Sequence, residues 1–358
     1  MKVKGRITRG ICGLFLMVFF CGTVETPAMA GSDSKEAVTT GVQLLRQVNQ
    51  TVLKEKDGER FTVGSEIEIN LPSNAANRFN DETSNAELRG KGPAFRQADL
   101  FLQYDKIGKL SFGQGETASQ ILSQIDLSGT DLTGYYGGKD QGSSIFFYDT
   151  NFSRLSDSAG GDMMGYLNGN RRKDRFRYDT PRFLGWGVAI STFADQDQDL
   201  KNTPAYDAAL SYSGSAGDID MAAAIGYAAH PSDPENGDAN VVNGSASVAY
   251  SGFSITLAAG NEQHSDGGYE SKKFYYGKLG YAMEFWQIGQ TALVIDYGKY
   301  SEVSQEEDKA KTMGIMFVQK IQDWSSEIYA GFRTQDMEHE GAEYDAVNAL
   351  TVGTRINF

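Results

Sequence analysis

The chain has 358 residues, of which 22% are charged, and its formal net charge is −14 at pH 7. Binding to nucleic-acid phosphates requires a basic surface, so this acidic balance argues against a nucleic-acid partner. Beyond residue 30 no stretch holds the roughly 18 successive apolar residues of a transmembrane helix, which excludes helical membrane spans there.

The first thirty residues have the pattern of an export signal. Four basic residues open the chain, an apolar run follows at 11–21, and Ala28-Met29-Ala30 provides a small-x-small cleavage site. The apolar run is too short to cross a membrane as a helix. We therefore predict a signal peptide at residues 1–30. Its removal takes away four basic residues and one acidic residue, so the mature chain is more acidic.

Both cysteines, Cys12 and Cys21, lie in this predicted signal. The mature chain therefore has no thiol for a disulfide, a metal site or a nucleophile. The three histidines, His230, His264 and His339, lack the spacing of metal ligands. We expect no metal and no cofactor.

The segment that follows, 31–59, allows two interpretations. Val42, Leu44 and Val48 could begin a strand. Leu44, Leu45, Val48 and Val52 also suit one side of a helix. Both alternatives stay open.

From residue 60 onward, apolar residues recur at every second position in segments separated by turn residues. Phe253, Ile255 and Leu257, for example, alternate with Ser254 and Thr256. This period of two is typical of a β-strand with one face in apolar solvent and one in water. Such segments predict about fourteen strands, three before the 116–171 segment and eleven after it, and about sixteen if 31–59 contributes.

The connections between these segments alternate in length. Short ones fall at positions such as 251–252 and 322–325, whereas long ones such as 229–240 and 336–345 are rich in Asp, Glu, Gly and Asn. An outer-membrane barrel with short periplasmic turns and long outer loops gives this alternation. The last segment, 346–358, keeps the strand period and ends on an aromatic residue.

These patterns predict an all-β fold, a transmembrane antiparallel β-barrel of about 14–16 strands. The alternative is a soluble, secreted all-β protein with a half-buried sheet. The inward positions are too polar for a packed core, and Tyr, Phe and Trp concentrate at strand ends, as membrane-interface girdles require. Both observations favour the membrane barrel.

A long segment, 116–171, interrupts the series of strands. It lies between the strands predicted at 109–115 and 173–179 and shows no clear hairpin. Long loops inside a compact fold tend to be functional. The natural place for this one is folded into the barrel, where it narrows the passage.

Three motifs and the terminal strand carry a resemblance to a known family. They are KLSFGQG at 109–115, IDLSGTD at 125–131 and DRFRYDTP at 174–181. In their order and strand setting they resemble the trimeric general porins of Gram-negative outer membranes, over roughly residues 60–358. The resemblance implies a porin barrel at 60–358 with an eyelet loop at 116–171. It also implies a homotrimer in contact with outer-membrane lipid and lipopolysaccharide.

In that family, carboxylates of the eyelet loop face basic residues on the barrel wall. Carried over by position, the eyelet acids are Glu116, Asp126, Asp131 and Asp140.

Lys173, Arg175 and Arg177 would form the basic wall, because they share the inward phase while Phe176 takes the lipid side.

The early strands depart from the family. They place Glu66, Glu68 and Asp99 inward, where the family more often has basic residues. Together with the negative net charge, this predicts a pore that prefers cations.

The sequence therefore predicts a channel for passive diffusion of small hydrophilic solutes and ions, located in the outer membrane and without enzymatic activity. One alternative is a channel selective for a sugar or an anion. Another is a plugged barrel with an adhesive or anchoring role.

Overall fold

The computed structural model describes residues 17–18, 20–25, 37–42, 44–56, 59–70, 94–130, 145–165, 167–194, 204–230, 238–264, 271–301, 308–339 and 341–357. Most of these residues form β-strands, nineteen of which belong to one antiparallel sheet, while β2 and β3 pair with each other. Within those ranges, none of the helices has the length and apolar character that crossing a membrane requires.

The first half of the chain contributes β1 (Met17–Val18), β2 (Phe20–Glu25), β3 (Ala37–Val42), β4 (Leu44–Lys56), β5 (Glu59–Asn70), β6 (Ala94–Tyr104), β7 (Gly108–Glu116), β8 (Phe146–Asp149), β9 (Arg154–Ala159), β10 (Arg172–Asp179) and β11 (Trp186–Ala194). The second half contributes β12 (Pro204–Ala216), β13 (Ile219–His230), β14 (Ala239–Tyr250), β15 (Phe253–His264), β16 (Lys272–Trp286), β17 (Gly289–Ser301), β18 (Lys309–Ile321), β19 (Ser326–His339), β20 (Ala342–Asp345) and β21 (Val347–Asn357). Short helical turns occupy Leu122–Gln124, Gly160–Met163 and Gln322–Trp324.

The barrel wall is an up-and-down series in which successive long strands pair antiparallel. Among the described residues it contains β4–β7 before the long segment and β10–β19 with β21 after it. β5–β7 and the eleven strands after the segment are the ones predicted from residue 60 onward, and β4 is one more. β7 pairs directly with β10, from Glu116↔Arg172 to Lys109↔Asp179, so the chain between them leaves the wall.

The two faces of the wall have opposite character. On β15, Ile255 and Leu257 are 54% and 62% exposed, whereas Thr256 between them is 4% exposed. Large apolar residues are likewise exposed on the other strands of the wall, which suits a surface that contacts lipid chains. Phe183, Leu184 and Trp324 project at short connections, where an interfacial girdle lies.

The described part of the N-terminal segment forms strands, the first of its two predicted alternatives, and not a helix. β4 pairs with β5 from Leu44↔Asn70 to Lys56↔Glu59 and adds one more strand to the wall. β1 and β2 lie within the predicted signal peptide, and Met17 of β1 pairs with Asn357 of β21. Cleavage after residue 30 would remove both strands and leave that edge of β21 for another partner.

The 116–171 segment contains a hairpin, although its sequence shows no clear one. β8 pairs with β9, and Tyr344 and Asp345 of β20 pair with Asp149 and Tyr148 of β8. β8 has only four residues, too few for a period of two to stand out in the sequence. β20 follows β19 in the last long connection, so this hairpin lies at the outer mouth.

The expectation of an inner face too polar for a packed core is also wrong in part. A cluster of buried apolar residues lies on the lumen side of the wall. Its members are Phe147, Met163, Met164, Ala258, Phe274, Tyr276, Tyr300, Ala310, Met337 and Val347. The long segment supplies the apolar partners of these inward residues, and strand alternation alone cannot reveal them.

Candidate pore constriction

The long segment begins with an anchor on the neighbouring wall. The backbone N–H groups of Ala118 and Ser119 donate to the carboxylate of Asp207 on β12 at 3.2 and 3.0 Å. The N–H of Ala118 also donates to Ser191 Oγ on β11 at 2.9 Å. Asp207 is 4% exposed. A buried carboxylate that accepts several hydrogen bonds fixes the groups that donate them.

A second anchor lies on β14, two strands further around the barrel. The N–H groups of Ile125 and Leu127 donate to Ser245 Oγ and Ser247 Oγ at 2.9 and 3.0 Å. Ser245 Oγ also donates to the carbonyl of Leu122 at 2.6 Å. Wall hydroxyls thus satisfy backbone groups of a segment that has no strand partner there.

Small residues on the inner wall make room for this segment. Ala118 packs against Ala189 and Ala209. The Leu122 side chain lies over Gly226, where an added Cβ would collide with it. The segment can therefore lie flat on the wall instead of spanning the middle of the barrel.

Asp126 forms the third attachment, through Lys278 on β16. Lys278 Nζ donates to Asp126 Oδ2 at 2.7 Å, and Thr256 Oγ1 donates to Oδ1 at 3.0 Å. The side chains of Asp126 and Lys278 are 6% and 2% exposed, respectively. Burial alone raises the pKa of Asp126, but the Lys278 ammonium and the hydrogen bonds from Ser128 outweigh it and lower that pKa below its ordinary value.

Lys278 belongs to a row of charges that runs across four wall strands. It stands opposite Asp296 on β17, and Asp296 accepts two hydrogen bonds of 2.7 Å from Arg333 on β19. β18 lies between β17 and β19, and its Gly314 is the direct partner of both Asp296 and Arg333. An added Cβ at Gly314 would collide with the Arg333 guanidinium. From Asp126 through Lys278 and Asp296 to Arg333, the charges alternate in sign and are buried.

A second arginine–aspartate pair also reaches across a glycine of the strand between its members, on β6, β7 and β10. Arg175 on β10 donates to Asp99 Oδ2 on β6 at 2.7 Å, across Gly113 on β7. It also donates to the carbonyls of Gly113 and Glu116 at 3.1 and 2.8 Å. Gly113 has a φ of +116°, which favours glycine. Arg175 is therefore buried and engaged on the wall.

An acidic patch adjoins this pair. Glu66 on β5 lies directly opposite Asp99, and Glu68 lies opposite Gln97. Glu66 and Glu68 are 7% and 6% exposed. Arg96 reaches Glu68 at 2.7 Å. Among the side chains that the structure describes, three carboxylates thus share this part of the wall with the guanidinium groups of Arg96 and Arg175.

The remaining predicted residues lie at the root of the long segment. The Glu116 carboxylate accepts a hydrogen bond from Arg172 at 2.8 Å. Arg177 donates to Asp179 and to the carbonyls of Glu116 and Thr117. Lys173 Nζ lies 5.5 Å from the centre of the Phe193 ring.

The structure thus brings Asp99, Arg175, Arg177 and Glu116 to one region of the wall, and it brings Asp126 to another. Asp131 and Asp140 fall outside the described residues. Several further charged residues of this site are not among those predicted from the sequence. Asp207, Lys278, Asp296 and Arg333 are four of them. Each stands at an inward position of a strand, and that pattern is a signal that could have found them.

The sequence model of the Gram-negative porin family matches residues 31–339. The chain belongs to this family. A porin fold and an outer-membrane location agree with the wall described above, and the chain is accordingly an outer-membrane channel protein. No curated protein sequence matches it.

Solved porin structures have the same fold. The anion-selective porin from Comamonas acidovorans is 14% identical, with a TM-score of 0.62 and coverage of 97% of this chain and 99% of that one. OprB of Pseudomonas putida is 11% identical, with a TM-score of 0.60 and coverage of 96% and 94%. The trimer form of OmpT from Vibrio cholerae is 13% identical, with a TM-score of 0.55 and coverage of 96% and 99%.

Proposed function

We propose that this porin is a water-filled channel for the passive diffusion of small hydrophilic solutes and ions, narrowed by the 116–171 segment. The observation that carries the proposal is the attachment of residues 117–130 to the inner wall at Asp207, Ser245 and Lys278. A segment held at three places along the lumen narrows the passage permanently. We propose Glu116 and Asp126 as its acids, with Asp131 and Asp140 as further candidates.

We further propose a preference for cations. Among the described side chains, the acids Glu66, Glu68 and Asp99 outnumber the guanidinium groups of Arg96 and Arg175 beside them. The cations Lys278 and Arg333 are balanced by Asp126 and Asp296. Excess negative charge in a low-dielectric wall raises the local concentration of cations. The porin from Comamonas acidovorans is described as anion-selective, but that property belongs to that protein, and this chain has its own arrangement of charges.

Three accompanying features are part of the proposal. Residues 1–30 act as the signal peptide, so the mature protein begins at residue 31 and reacts with no thiol reagent. The mature chain assembles as a homotrimer, and a solved porin with the same fold is described as a trimer. Its outward apolar face contacts outer-membrane lipid and lipopolysaccharide. Intact mass and light scattering of the purified protein test the first two points.

The functional test is diffusion through liposomes that contain the purified protein. Swelling rates should fall smoothly as the size of neutral sugars increases, without saturation at high concentration. Saturation by one sugar or anion would instead support a substrate-selective channel. An absence of swelling from correctly folded protein would support a plugged barrel and contradict the proposal.

A further inference from the structure

The outer mouth contains a packed apolar core where a water-filled lumen gives no reason for one. Phe147, Met163 and Met164 of the long segment are fully buried. Inward residues of the wall surround them, among them Phe274 and Tyr300, whose stacked rings lie 6.2 Å apart. Burial of several large apolar side chains is the main stabilising term in protein cores.

Three residues of this core lie near the ends of their strands, which places the core at the mouth of the barrel. Phe274 lies near the start of β16, Tyr300 near the end of β17 and Met337 near the end of β19. All three positions adjoin long connections, which belong to the outer side of the barrel. Lys278 lies further along β16, so the contact with Asp126 is deeper in the lumen.

The segment above the core is itself folded. The β8–β9 hairpin continues into the helical turn Gly160–Met163, and the N–H of Gly160 donates to the carbonyl of Ile145 at 3.1 Å. β20 adds a further strand to β8. The Phe147 and Tyr344 rings meet edge to face at 6.4 Å. The long segment and the connection between β19 and β21, which are distant in sequence, thus pack together as one unit.

We propose that residues 145–165 form a fixed cap, here called the mouth cap, that covers the side of the outer mouth next to β16–β19 and sets the size limit of the passage. The inference rests on the proposed channel function and adds a second selection level above the Asp126–Lys278 contact. The apolar underside of the mouth cap is buried against the wall, so its effect on a solute is steric. Residues 117–130 narrow the passage and sort charge deeper in the barrel, and the mouth cap limits solute size at the mouth.

The test removes the apolar contacts of the mouth cap. In the double variant Phe147→Ala, Met164→Ala, the mouth cap should detach from the wall. Single-channel conductance should then rise, and larger polyethylene glycols should enter the pore in polymer-exclusion measurements. Phe152→Ala is the matched control, because Phe152 lies on the same hairpin but is 65% exposed. It should keep the conductance and the exclusion limit of the wild type.

A disulfide between β8 and β20 tests whether the conductance change of the double variant can be reversed. Tyr148 of β8 and Asp345 of β20 are direct antiparallel partners, and such pairs lie within the Cα separation that a disulfide spans. With Tyr148→Cys and Asp345→Cys added to the double variant, oxidation should lower the conductance towards the wild-type value, and reduction should raise it again.

The outcomes separate this inference from the channel function. A wild-type protein that conducts, with a folded double variant of unchanged conductance and exclusion limit, overturns the mouth cap alone. A wild-type protein without conductance overturns the channel function as well. Folding of each variant is checked by the change in gel migration that heating causes in detergent, and an unfolded double variant is replaced by deletion of the hairpin at 146–159.

Discussion

Asp126 and Lys278 are 152 positions apart in the chain, yet their side chains meet at 2.7 Å inside the barrel. The resemblance to general porins implied an acid that faces basic residues across an open passage. Here the acid of the loop touches a wall cation directly, and both side chains are buried. This ion pair holds the loop on β16 and cancels much of the charge that each partner would present to a passing ion.

Removal of the Lys278 charge should increase the preference for cations. In Lys278→Met, the Asp126 carboxylate loses the cation that it contacts on β16, and its negative charge acts on ions in the lumen. Reversal potentials in a salt gradient should shift towards the cation potential, and the open-channel current should become noisier as the loop loosens.

Two controls accompany this variant. Lys320→Met also removes a wall cation, but Lys320 Nζ donates to the Gln290 side chain at 3.4 Å instead of to Asp126. It should change the reversal potential less than Lys278→Met does. Asp126→Asn combined with Lys278→Met restores the charge balance, so the reversal potential should return towards the wild-type value. Equal shifts in both lysine variants would show that only net charge matters.

The loop attachment should persist under mildly acidic conditions. The Lys278 ammonium and the Ser128 hydrogen bonds outweigh burial and hold the pKa of Asp126 below its ordinary value. The ion pair therefore contributes fully above the ordinary carboxyl pKa and is lost as the pH falls through the lower, folded-state pKa. Conductance noise should stay constant from neutral pH down to the ordinary carboxyl range and increase only below it. Asp126→Asn should remove this acid-induced step, and a step that persists in the variant would assign it to another group.

Gly314 should tolerate no side chain, because the Arg333 guanidinium crosses it to reach Asp296. Gly314→Ala should lower the free energy of unfolding by about 1–3 kcal/mol through overpacking. Gly277→Ala is the matched control, since an added Cβ there would meet only Leu257 at 3.6 Å. Urea unfolding of the two variants in detergent or lipid measures the difference. Equal stability would mean that Arg333 moves aside without cost.

Arg175 and Arg177 should differ in their effect on stability, although the sequence places them in the same phase. The side chains of Arg175 and Asp99 are 4% and 3% exposed, and removal of one member of such a buried pair costs about 3–5 kcal/mol. Arg177 is 23% exposed, so Arg177→Met should cost clearly less. Thermal unfolding measures the stability of Arg175→Met and Arg177→Met. A larger loss of stability in Arg177→Met would contradict the importance assigned to the buried Arg175–Asp99 pair.

The wall could be predicted well from the sequence, because strands between lipid and water must alternate apolar and polar residues. Each strand is long enough to show this alternation. The contact between Asp126 and Lys278 could not be predicted, since it depends on how far the loop reaches around the barrel. The β8–β9 hairpin escaped detection because its strands are short and its apolar residues face other parts of the same lumen. The Gly113 and Gly314 positions depend on register across three strands, which one sequence does not display.

An open channel, narrowed by a loop that is fixed to the wall, underlies all of these expectations. Single-channel recording of the purified protein in a planar bilayer, under a potassium chloride gradient, is the sharpest test of such a channel. We expect stable, ohmic openings with a reversal potential on the cation side. Folded protein that gives no openings, or a reversal potential on the anion side, would refute the proposed function.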